Sequence, residues 1–123
     1  MYKSVLLSVP EASPSANLWT YRPWGVYYSI HKHWAMLILL AKAEAKAWRQ
    51  PNGKVRAHIV RESKRLLDDD NFRGGLKPIL DSLRDHRLIV DDDAEHLSLT
   101  AEQRRIGKGH FPHTLIELEE VDG

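Results

Sequence analysis

The stretch from Asp68 to Asp93 constrains the fold of this 123-residue chain more than any other. Within it, Leu76, Ile79, Leu80 and Leu83 fall at i, i+3, i+4 and i+7, the spacing of one apolar helix face. Pro78 fits a helix only in its first turn, which places the start near Gly74 or Gly75. On either side stands a run of three carboxylates, Asp68-Asp69-Asp70 and Asp91-Asp92-Asp93. A helix of about ten to twelve residues rises ~15–18 Å, so a short return loop brings the second run back toward the first. The chain must therefore supply a sheet for the apolar face and neighbours for six clustered charges.

The strands can be read around that helix. Tyr2 to Val9 is apolar and β-branched and stops at Pro10; Glu11 to Asn17 is a Pro/Ser loop. Leu18 to Ile30 carries Trp19, Tyr21, Trp24, Tyr27 and Tyr28 with Arg22. From about His31 to Arg49, Leu37, Leu40, Ala41, Ala45 and Trp48 keep helical spacing, and the turn Gln50-Pro51-Asn52-Gly53 ends it. Val55, Ala57 and Ile59 alternate as a strand, and Leu97 to Arg105 and Thr114 to Glu120 read as two more around Gly107-Lys108-Gly109. The order β-α-β-α-β-β predicts one small α+β domain over residues 1–123, a mixed β-sheet with two helices packed on one face. A chain of this length buries enough surface to fold without staples, and with no cysteine it has neither disulfides nor thiolate metal sites. No apolar run reaches the ~18 residues of a membrane span and Met1-Tyr2-Lys3 opens no secretory signal, so the expected setting is soluble and cytoplasmic, with no membrane partner.

The balance of 18 Lys+Arg against 17 Asp+Glu argues at first against nucleic acid. Setting the six clustered aspartates aside leaves eleven acids against eighteen bases, a remainder of formal charge +7. The aspartates themselves admit two readings. Clustered carboxylates repel unless cations neutralise them, and hard oxygen donors select Mg²⁺, Mn²⁺ or Ca²⁺; in an extended Asp68-x-Asp70 both side chains leave on the same side. Equally, Asp before a helix is an ordinary N-cap and Asp runs are common in exposed turns. An EF-hand fails at once, since its required Gly and Glu are here Arg73 and Ile79. His31-x-His33 and His110-x-x-His113 lack a completing ligand and read as surface histidines.

The segment resembles the RusA-type Holliday-junction resolvases of phages and prophages. The family's Asp-x-Asp-Asn, helix Lys, Asp-x-Leu and Asp-Asp elements appear in order as Asp68-Asp69-Asp70-Asn71, Lys77, Asp81-Ser82-Leu83 and Asp91-Asp92. A Pro-Ser-x-Asn loop (Pro14-Ser15-Ala16-Asn17) and a later helix with Trp34 extend the likeness over roughly residues 3 to 120. One spacing departs from the family: Phe72-Arg73-Gly74-Gly75-Leu76 intervene between Asn71 and Lys77, where the compact motif has two residues. These read as extra residues at the helix start, with Arg73 as the substitute should Lys77 point elsewhere.

The resemblance implies a Mg²⁺-dependent endodeoxyribonuclease, with Mn²⁺ as substitute, acting in DNA recombination and repair. Asp68, Asp70 and Asp92 would be catalytic metal ligands, Asp91 or Asp93 could exchange with Asp92, and Lys77 would be the catalytic lysine. The substrate would be a four-way DNA junction, cut by a homodimer whose two-fold axis matches the substrate's. Asn17, Asn71 and Arg73 would bind substrate with Arg65, Arg104 and Arg105; Arg49, Arg56, Arg61, Lys64 and Lys108 are further phosphate candidates. Trp19, Tyr21 or Trp24 would stack at an opened junction, against the competing reading of core or dimer contact. Asp81 would pair with Lys77 at i, i+4. Two alternatives stay open: a junction- or DNA-binding protein of the same fold without nuclease activity, and a protein-interaction domain whose Asp runs are helix caps.

Overall fold

Alternation builds the sheet. In β1 (Ser4–Val9) Val5, Leu7 and Val9 are buried while Ser4, Leu6 and Ser8 are exposed. The same period of two buries Val55, Ala57 and Ile59 of β2 (Val55–Ser63) and Ile116 and Leu118 of β4 (His113–Glu120). A third long strand, β3 (Leu97–Arg105), contributes Leu97 and Ala101. The computed structural model describes residues 3–45 and 48–121, and among these the four strands form one sheet in the order β1-β4-β2-β3. Pairing is antiparallel for β1 with β4 and β4 with β2, and parallel for β2 with β3. This is the mixed α+β sheet expected. The last two strands, however, are not neighbours: the chain leaves β3, turns at Gly109 with φ +89° and passes to the far side of β2.

One face of the sheet is covered. Helix α1 (Trp24–Ala45) buries Trp34, Ile38 and Ala41, and helix α3 (Lys77–Asp85) buries Ile79 and Leu83; all join the strand residues in one core. The expected helix start near Gly74 or Gly75 needs refinement. A separate short helix, α2 (Asp69–Gly74), comes first, the chain breaks at Gly75, and α3 follows with Pro78 in its first turn. Helix α1 starts seven residues before the expected His31, so the aromatic stretch supplies its first turns. Lys46, in the expected last turn, lies outside the described residues. Between them α2 and α3 form the crossover that a parallel β2/β3 pair requires. No helix among the described residues is long and apolar enough to cross a membrane.

Arg61 corrects one expectation. Expected among the phosphate contacts, it instead shares the inward parity of Val55, Ala57 and Ile59 and is only 8% exposed. Its guanidinium donates to the carbonyls of Ser13 at 2.8 Å and Arg65 at 3.0 Å, tying the loop after β1 to the chain leaving β2. Desolvation pulls its pKa down from the ordinary value.

Candidate functional site

Asp68 forms the N-cap of α2. Its carboxylate accepts from the Asn71 backbone N–H at 3.3 Å and from Asn71 Nδ2 at 2.7 Å, and these bonds hold it below the usual carboxylate range. Asp69 pairs with Arg73 at 3.2 Å. Asp70 is exposed in the first turn, and its carboxylate has no hydrogen-bond or ion-pair partner among the described residues. The helix-cap reading thus accounts for Asp68, and the helix dipole favours Asp69 and Asp70 in the first turn, while Asp70 keeps its carboxylate unengaged among the described residues.

Basic residues gather at the same end of the sheet. Gln103 of β3 bonds both the backbone N–H and the carbonyl of Leu67 at 2.9 Å, fixing the approach to Asp68 beside the end of β3. Arg104 and Arg105 lie opposite Glu62 and Ser63 in the parallel register, and the exposed Arg65 follows two residues after β2 ends. Arg104 itself pairs with Glu102 at 2.7 Å.

The Pro-Ser-x-Asn loop sits directly on the break between α2 and α3. A Cβ on Gly74 would lie 2.9 Å from Ala16 Cβ, and one on Gly75 would overlap the Pro14 carbonyl oxygen. The residues that separate Asn71 from Lys77 therefore make a glycine seat for residues 14–16. Asn17, in the 3-10 turn Ala16–Leu18 of that loop, is exposed.

Asp81 organises the other half. It is 8% exposed and accepts from Tyr27 Oη and, at 3.0 Å, from Lys77 Nζ; Arg84 stands 3.6 Å away. Burial alone would raise its pKa, but the hydrogen bonds from Tyr27 and Lys77 and the charges of Lys77 and Arg84 hold it below the ordinary 3.8. Desolvation first, and then the bond to Asp81, pushes the Tyr27 phenol up. Lys77 Nζ also lies 4.8 Å from the Tyr27 ring centroid, a cation–π contact. Arg84 continues to Asp91 at 3.8 Å. Asp91 accepts from the Asp92 backbone N–H at 2.8 Å, which keeps its carboxylate pKa low, aided by Arg84.

The two runs are not drawn into one cluster. The parallel register sets Leu97 beside Val55, so the second run precedes the opposite end of the β2/β3 pair from the one Asp68 follows. Nine paired residues separate those ends, ~26 Å at the usual strand rise. Among the described residues no three His, Asp or Glu side chains are grouped to hold a metal ion. The donor chemistry nevertheless fits Mg²⁺, which is commonly held by one or two carboxylates, with water and substrate phosphate completing the shell. Asp68 and Asp70 are exposed carboxylates of that kind, but the extended Asp68-x-Asp70 expected from the sequence is not found: Asp68 caps α2 and Asp70 lies within its first turn, and side chains two apart on a helix do not face each other.

The histidine motifs go elsewhere: His31 pairs with Asp85 at 3.0 Å, His33 with Glu11 at 2.8 Å and His113 with Glu62 at 2.9 Å. Tyr27 and Arg84 are the site residues that sequence reasoning missed. Arg84, three residues after Asp81 on an amphipathic helix, was legible as its partner; Tyr27 lies 54 residues from Asp81, and no local pattern links them. Tyr27→Phe is expected to destabilise the fold at pH 7 by about 1.5–3 kcal/mol, the worth of a hydrogen bond to a charged group. Because the folded pKa of Asp81 is depressed, this contribution is complete at neutral pH and shrinks as pH falls below 3.8. Urea unfolding of both proteins at pH 7 and pH 3 measures it; an equal loss at both pH values contradicts the assignment.

The chain matches no protein-family model and no curated protein.

Proposed function

We propose that this protein is a Mg²⁺-dependent, structure-selective endodeoxyribonuclease of the RusA type that hydrolyses phosphodiester bonds at four-way DNA junctions during recombination and repair. The observation that carries this reading is the end of the sheet where exposed Asp68, and Asp70 with no partner among the described residues, stand with Arg65 and Arg105. Hydrolysis of a polyanion needs both features: carboxylates for the cation and bases for the strand. Asp68 and Asp70 would hold Mg²⁺ or Mn²⁺; Asp92 or its neighbour Asp91, toward the opposite end of the β2/β3 pair in its own chain, would join them only from a dimer mate. The bound ion would supply an activated water and stabilise charge on the leaving oxygen.

The chain's own groups do the rest. Asp81 and the Tyr27 ring fix one side of the Lys77 ammonium, and its side chain, 59% exposed, keeps donors free for a phosphate oxygen. Arg84 offsets the Asp81 charge, so that Lys77 is positioned without being fully neutralised. Arg65, Arg104 and Arg105 would bind flanking phosphates, while Asn17, Asn71 and Arg73 border the strand's path. A homodimer would apply this machinery to two opposed strands of the junction.

A second reading is a junction-binding protein of the same fold without nuclease activity, favoured by the lack of a gathered three-ligand group among the described residues. Incubation with a synthetic four-way junction separates the two. The nuclease reading expects paired nicks in Mg²⁺ or Mn²⁺, absent with EDTA and in Asp70→Asn; salt-sensitive binding with no nicking in either metal supports the second reading.

A further inference from the structure

The start of α1 presents aromatic rings to solvent. Trp24 is 74% and Tyr28 50% exposed, and their rings stack with centroids 5.3 Å apart and planes 30° from parallel. The next residue on that helical row, four further on, is the exposed Lys32. Tyr21, in the turn just before the helix, is fully exposed and held at φ 60°. Positive φ is unfavourable for a bulky side chain, and such strain gathers at ligand-binding positions. None of these rings is spent on the core.

The charge around them selects the occupant. Residues 12–43 contain no Asp or Glu, and Arg22 and Lys32 flank the rings; the nearby carboxylates of α3 are engaged, Asp81 by Tyr27 and Lys77 and Asp85 by His31. Aromatic faces interleaved with cations, with no carboxylate along the same chain segment, are complementary to an anionic strand whose bases are unstacked. The row also adjoins the candidate site. Tyr27, one residue before Tyr28, carries Lys77 against its ring and donates to Asp81.

We propose that Tyr21, Trp24 and Tyr28 form a stacking platform for unpaired nucleotides, which receives bases released at the branch point of the DNA and leads their backbone toward Lys77. The assignment of a branched substrate rests on the nuclease reading above; the binding of single-stranded DNA by these rings does not.

Titration of fluorescein-labelled oligothymidylate with the protein, in the absence of divalent metal and with anisotropy as the signal, tests the platform apart from catalysis. Trp24→Ala and Tyr21→Ala should each weaken binding roughly 5- to 150-fold, the effect of losing one stacked base, while Trp24→Phe, which keeps a ring, should retain most of the affinity. Both positions are exposed, and unchanged circular dichroism will show that the variants fold. Unaltered oligothymidylate affinity in both alanine variants overturns the proposal. So does wild-type protein that fails to bind, or a Trp24→Ala variant whose sole defect, by sedimentation, is loss of self-association. Wild-type protein that binds oligothymidylate through Trp24 but nicks no junction in Mg²⁺ or Mn²⁺ overturns the nuclease reading and upholds the platform.

Discussion

Asp70→Asn is expected to slow Mg²⁺-dependent cleavage of a four-way junction by about 10³-fold or more, while junction affinity changes little. The magnitude follows from the several kcal/mol that a bound metal ion contributes to the transition state, each 1.36 kcal/mol being tenfold in rate. The substitution is nearly isosteric and removes one negative charge. Asp70 has no described partner to lose and is exposed, so the fold should survive intact. Single-turnover cleavage of a labelled junction, with binding measured in parallel in Ca²⁺, reads both quantities. Cleavage at the wild-type rate would remove Asp70 from the site.

Gly75→Ala should have the largest effect on stability, about 3 kcal/mol, at the upper end of the range for overpacking. The added Cβ would meet backbone atoms, the Pro14 carbonyl and the Asn71 oxygen at 2.8 Å, and backbone cannot step aside as a side-chain tip can. The loop carrying Asn17 should lift from the α2–α3 break, and cleavage should fall along with stability. Gly25→Ala is the control: nothing lies within 4 Å of a Cβ there, and alanine in a helix should stabilise by roughly 0.5–1 kcal/mol. Urea denaturation compares the two. Wild-type stability in Gly75→Ala would mean that the loop does not rest on the glycine seat.

Helix α3 was legible in the sequence because a single apolar face against one sheet writes its period directly into the residues. Strands β1 and β2 were legible for the same reason. The start of α1 was not, because aromatic residues are indifferent helix formers; the overlooked signal is Pro23, directly before Trp24, since proline favours the first positions of a helix. Arg61 was misplaced by its chemistry although its parity with Ile59 had already turned it inward. The passage of β4 across β2 leaves no local trace, since strand order depends on which strand is buried on both edges. The same holds for the candidate site. Asp68, Asp70 and Lys77 are motif residues and stand out in sequence, whereas Tyr27 reaches Asp81 only through the packing of α1 on α3.

The glycine pair changes how the spacing between Asn71 and Lys77 is understood. Gly75 admits the Pro14 carbonyl where any Cβ would overlap it, and Gly74 leaves room for the Ala16 methyl. Beyond that break Lys77 stands in the first turn of α3, with Asp81 one turn on to orient it. The altered spacing thus has a structural cause, and the lysine side chain beyond it remains 59% exposed.

The central claim is that Asp68 and Asp70 hold a divalent cation at the start of α2, and crystals of the protein soaked in Mn²⁺ test it most directly. The account predicts an anomalous-scattering peak within coordinating distance, ~2.0–2.5 Å, of Asp68 or Asp70. No peak at saturating Mn²⁺, or a peak that touches neither of these carboxylates, would contradict it.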